Sequence, residues 1–94
     1  MTNPPTPQHV PLPDPGFVLE ELDQELLLFH PQDGRLLELN ATAALVWQLC
    51  DGVRTVAVIS GLIADAYPQD AASIAQDVPD ILVELNKLGA VHWR

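Results

Sequence analysis

Apolar and polar positions change their spacing near residue 39, from short strand-like runs to helical stripes. Phe17 to Leu22 and Glu25 to His30 are two apolar runs divided by Asp23-Gln24, which reads as a tight hairpin. Pro31-Gln32-Asp33-Gly34 is a second turn, with Gly34 free to take positive φ. Arg35 to Leu39 then alternates imperfectly, with Leu37 and Leu39 on one face and Leu36 and Glu38 on the other. Three antiparallel strands in a meander follow.

Asn40 is placed to cap a helix from Ala41 to Cys50 that is apolar on nearly every side, and Asp51-Gly52 stops it. Thr55 caps a second helix reaching about Tyr67, with a stripe at Ile59, Leu62, Ile63 and Ala66, and Pro68 ends it. The third helix spans Ala71 to Leu88, with Asp70 as N-cap, Gly89 as stop and an apolar seam at Ile74, Val78, Ile81, Leu85 and Leu88. Pro79 inside it removes one backbone donor, so a kink, or a helix that starts near it, is expected. Ala90 to Trp93 adds a short extended end. The order β-β-β-α-α-α is α+β and is the parts list of a winged helix-turn-helix with its strands first.

Composition narrows the function. Ninety-four residues, 48% apolar with mean hydropathy +0.14, support one modest core. Six of the nine prolines fall in residues 1–15, where no hydrophobic period runs, so this opening reads as a disordered or extended tail before a domain over 16–94. A formal charge of −9 and four scattered cations, Arg35, Arg54, Lys87 and Arg94, argue against nucleic acid as a partner. One cysteine, no signal-peptide pattern and no apolar run near the ~20 residues of a membrane span suit a soluble cytoplasmic protein.

Catalytic chemistry finds no foothold. His9, His30 and His92 have no partner at metal-ligand spacing, and Cys50 sits beside Asp51 with no basic neighbour to activate it. No phosphate loop or nucleophile motif is present, and Glu20, Glu21, Asp23 and Glu25 crowd an exposed turn as solvated charges. The expectation is a protein without enzymatic activity, cofactor or metal. On the third helix, Asp77, Asp80 and Glu84 fall within about 60° of arc beside the apolar seam. They read either as a solvated flank or as an acidic rail that selects a peptide with basic side chains.

The stretch from Leu39-Asn40-Ala41 through Trp47-Gln48-Leu49-Cys50-Asp51-Gly52 to Thr55-Val56, with Asp77-Val78 and the later Leu85 to Gly89, resembles the PqqD-like family. It departs from the pathway-specific chaperone at Glu20-Glu21, where a basic segment is expected, and at Val58, where a glutamate often completes a capping box. The resemblance implies a peptide chaperone, or recognition element, of pathways making ribosomally synthesised and modified peptides. Its partners would be a precursor leader peptide and a modifying enzyme, such as the radical SAM enzyme of pyrroloquinoline quinone biosynthesis. It also implies that the leader adds a strand to the third strand of the sheet and packs on the third helix.

An edge strand presents unpaired amides and carbonyls, and strand addition turns them into sequence-tolerant affinity. The matching strand is Arg35, Leu36, Leu37, Glu38 and Leu39, with the amide of Leu37 expected as a ladder donor. The helix offers Val78, Ile81, Leu82 and Leu85 as floor and Asp77, Asp80 and Glu84 as rail, although each apolar residue also fits an ordinary core. A dimerisation or enzyme-subunit module using the same edge, as monomer or weak homodimer, is the alternative. A winged-helix transcription factor fits less well, because the third helix carries only Lys87 as a cation.

Overall fold

Asp23 and Gln24 both take positive φ, 50° and 69°, as a two-residue type I′ hairpin turn requires. Neither is glycine; Asp is one of the residues that tolerate this region best. The computed structural model describes residues 5–94, and in it this turn joins the first two strands of a meander. In chain order the elements are β1 (Pro11–Pro13), β2 (Val18–Leu22), β3 (Glu25–Phe29), β4 (Leu36–Leu39), α1 (Ala41–Leu49), α2 (Val56–Ala66), α3 (Ala71–Leu88) and β5 (Val91–Trp93). Strands β2, β3 and β4 form one antiparallel sheet in that order, and three helices follow, as in a winged helix-turn-helix.

The helix boundaries follow local chemistry. The Asn40 side chain accepts from the Ala43 amide at 2.8 Å, and Thr55 Oγ accepts from the Val58 amide at 3.2 Å. α3 ends in a Schellman arrangement, with Gly89 at φ 89°, its amide donating to the Asn86 carbonyl and the Ala90 amide to that of Leu85. Asp70 departs from expectation, making no side-chain capping bond; a 3₁₀ turn at Pro68–Asp70 leads directly into the helix instead. α3 continues through Pro79 as one element, so it does not begin near that residue.

The opening segment is extended from residue 11 and paired. β1 runs antiparallel to β5, placing Pro11 opposite Trp93, and Val10 and Arg94 exchange both backbone bonds at 3.1 and 2.8 Å. The carbonyls of Pro7 and His9 accept from the Ala57 and Val56 amides at 2.9 Å, so this segment also covers the start of α2. Pro5 and Pro11 are buried; residues 1–4 of the expected tail lie outside the described residues.

One core joins the two sheets to the helices. Leu28, Val46, Ile59, Val78, Leu82, Leu85 and Val91 are its fully buried centre. α2 contributes Val56, Ile59 and Ile63, whereas Leu62 is 44% exposed and Ala66 is exposed, so half of the expected α2 stripe faces outward. Among the described residues no helix is long and apolar enough to cross a membrane.

Candidate functional site

The sheet order leaves β4 at an edge, with β3 on one side only. Which backbone groups that edge offers follows from register. β3 and β4 pair Leu26 with Leu39, Leu27 with Glu38, Leu28 with Leu37 and Phe29 with Leu36. One step beyond, the His30 amide donates to the Arg35 carbonyl at 2.9 Å, which makes that opposed pair a hydrogen-bonded one. Antiparallel pairs alternate between bonded and non-bonded, so Leu37 and Leu39 direct their amides and carbonyls at β3. Leu36 and Glu38 direct theirs outward, to the open edge. The expected role of the Leu37 amide is therefore corrected: it is spent inside the sheet, and its two neighbours hold the free groups.

Beside this edge lies a groove of about 250 Å³ between β4, the first turn of α1 and the second half of α3. Leu37, Leu39, Ala43, Ile81 and Leu85 supply its apolar lining, and Glu38, Asn40, Asp80 and Glu84 its polar one. Of the residues the sequence nominated, Leu37, Glu38, Leu39, Asp80, Ile81, Glu84 and Leu85 meet here. Leu36 stands at the strand's start, 57% exposed.

Four nominated residues lie elsewhere. Val78 and Leu82 are fully buried and do not line the groove. At about 100° per residue they occupy the arc of α3 centred on the core, while Asp80, Ile81 and Glu84 follow round to the open side. Asp77 shares the angular position of Glu84 but sits nearly two turns earlier. It lines a different hollow, of about 330 Å³, where α1, α2 and the start of α3 meet around Leu45, Ile63, Tyr67 and Ile74. Angle around a helix does not report height along it, which is why the three carboxylates did not separate in sequence.

Arg35 is the fourth. Its guanidinium donates to Asp33 Oδ2 from Nε at 2.9 Å and to the Leu88 carbonyl from Nη1 at 2.8 Å, and it lies 4.9 Å from the centre of the Phe17 ring. Hydrogen bonds from Arg35 hold the Asp33 carboxyl below its ordinary range. Arg35 therefore braces the groove from behind its end. Asn40 and Ala43 also line the groove; the sequence marks Asn40 only as a cap, and nothing in the local pattern separates Ala43 from the other small residues of α1.

Reactive chemistry is poorly served. Burial pushes the Cys50 thiol up to about 12, with the Asp51 charge adding to it, and its Sγ donates to the Val46 carbonyl at 3.1 Å. Among the described residues no group of three His, Cys, Asp or Glu side chains is placed to hold a metal. An open strand edge beside an apolar groove is suited to gripping an extended chain.

Comparison with known proteins agrees with this architecture. The family described as "Coenzyme PQQ synthesis protein D (PqqD)" matches residues 25–91. A "PqqA binding protein" from Rhodopseudomonas palustris (strain TIE-1) is 36% identical over 70 residues, covering 74% of this chain and 67% of that protein. Another, from Methylococcus capsulatus, is 35% identical over 63 residues, covering 67% of this chain and 63% of that one. In fold, the chain resembles TbiB1, solved in complex with the TbiA(beta) leader peptide, at a TM-score of 0.69 and 23% identity over 86% of this chain and 94% of that one.

Proposed function

The chain belongs to the PqqD family, and from that premise we propose that it is a non-catalytic adaptor that binds a precursor leader peptide and presents it to a modifying enzyme. The leader adds as a strand to β4. The observation that carries this reading is the coincidence of the outward backbone groups of Leu36 and Glu38 with the apolar groove against α3. Relatives of this chain carry the name of PqqA binding proteins, and a protein of the same fold has been solved with a leader peptide. Affinity comes from the ladder and from apolar side chains resting on the half-buried Leu37 and Ile81. The enzyme it serves is of the radical SAM class in this reading, since that is the partner the family resemblance implies.

Calorimetric titration of the chain with PqqA, and with a short precursor peptide encoded beside its gene, tests the proposal. Saturable one-to-one binding is expected, weakened about tenfold or more by Leu36→Pro, which removes an outward amide while sparing the bonds to β3. No binding to either peptide, or binding indifferent to that change in a variant that melts like the parent, overturns it. Self-association that competes for the same edge, seen by sedimentation, would turn the assignment toward a dimerisation module.

A further inference from the structure

We propose that the groove selects a strand carrying lysine or arginine on both of its faces, a specificity that rests on the peptide-binding reading above. Three carboxylates border the path of an added strand: Glu38 on β4, and Asp80 and Glu84 on α3. All three are exposed.

The chain's own cations are engaged elsewhere or loosely held. Arg35 pairs with Asp33 at 2.8 Å, Arg54 pairs with Asp51 at 3.1 Å, and Arg94 donates to the Gly52 carbonyl at 3.2 Å. Lys87 reaches Glu84 at 3.7 Å, and both side chains are more than half exposed, a contact worth little and readily exchanged. Among the described residues, Glu38 and Asp80 have no cationic partner. A net charge of −9 adds a long-range bias toward basic ligands and against acidic ones.

Alternation divides the labour. Successive side chains of an added strand point to opposite faces. On the outer face they stand beside Leu36 and Glu38, so an apolar residue next to the first and a lysine or arginine next to the second make favourable cross-strand pairs. On the inner face the strand meets Leu37 and Ile81, with Asp80 and Glu84 beside them. Lysine and arginine suit this arrangement because their hydrocarbon stems cover apolar surface while the charged heads reach a carboxylate. A short aliphatic residue fills the floor but leaves Asp80 without a partner and Glu84 with only its loose contact to Lys87. Asp77 takes no part, being in the other hollow.

The experiment is a selection of randomised nonapeptides displayed on phage against the full chain, Leu36→Pro, and the triple variant Glu38→Gln, Asp80→Asn, Glu84→Gln. All the substituted side chains are exposed, so circular dichroism melts should stay cooperative, with the triple variant matching the parent and Leu36→Pro within several degrees of it. The expected result is a set of peptides lost on Leu36→Pro, enriched in Lys or Arg on the parent, and without that enrichment on the triple variant. A synthesised winner should bind the triple variant roughly tenfold more weakly and lose affinity as salt rises. Edge-dependent peptides with no basic enrichment, or with the same enrichment on the triple variant, overturn the charge selection while leaving peptide binding intact. A failure to recover any edge-dependent peptide overturns both.

Discussion

The guanidinium of Arg35 donates to the carbonyl of Leu88 at 2.8 Å, tying the residue before β4 to the last residue of α3. The two walls of the groove are thereby joined at one end, across 53 positions of sequence. Gly89 makes room for the contact, since a side chain at that position would run into Arg35 Nη1. An orphan carbonyl at the negative end of a helix is a favourable place for a cation.

Arg35→Ala should therefore lower the urea midpoint of unfolding, because it removes the charge-assisted hydrogen bond to Leu88 and the contact with the Phe17 ring. Arg35→Lys should recover less than half of that, because an ammonium cannot span Asp33 and Leu88 as a planar fork does. Urea unfolding of the three proteins is the measurement, and equal midpoints would show that the brace carries no energy.

Proline at neighbouring positions of β4 should act oppositely. Leu37→Pro removes a bond to β3 and a half-buried side chain, for an expected loss of about 2–3 kcal/mol. Leu36→Pro, whose amide faces outward, should cost under about 1 kcal/mol. Thermal melts of the two variants compare them directly, and the reverse order would mean that the parity assigned to the strand is wrong.

The thiol of Cys50 should resist alkylation in the native protein. With its ionisation pushed up to about 12, almost no thiolate exists at pH 8, and the group is buried. Reaction with a disulfide reagent should proceed only as the chain unfolds in urea; stoichiometric labelling of the native chain within minutes would contradict the burial.

Acid should weaken the fold through Asp33 and Asp51. Both carboxyls are held below their ordinary value of 3.8, Asp33 chiefly by the Arg35 side chain and Asp51 by the Arg54 and Val53 amides. A carboxyl lowered on folding contributes its stability fully above the unfolded value and loses it as pH falls through the folded one. Unfolding free energy should hence decline below about pH 4, and Asp33→Asn should flatten part of that decline. A slope unchanged by the substitution would remove Asp33 from the account.

Much of this protein is legible from short stretches of its sequence, because the forces concerned act over a few residues. A side-chain oxygen reaches an amide three positions on, so Asn40 and Thr55 announce α1 and α2. Gly89 ends α3 because a left-handed residue there satisfies the last carbonyls. The meander and its edge strand follow from three strand-like runs separated by short turns.

Tertiary structure decided whatever depends on register, height or distant partners. Period two places Leu36 and Glu38 on a common face, but only the pairing with β3 determines that their backbone groups also face outward. Asp77 and Glu84 look equivalent by angle until α1 and α2 pack against the first half of α3 and leave Asp77, still exposed, at the border of a separate hollow. The extended end at Ala90 to Trp93 is legible locally, but its pairing with Pro11–Pro13 is not, because its partner lies about 80 positions away and three residues carry too little period to announce that strand. Local spacing determined the helices and turns of this chain, and long-range packing chose which of their surfaces remain open to a ligand.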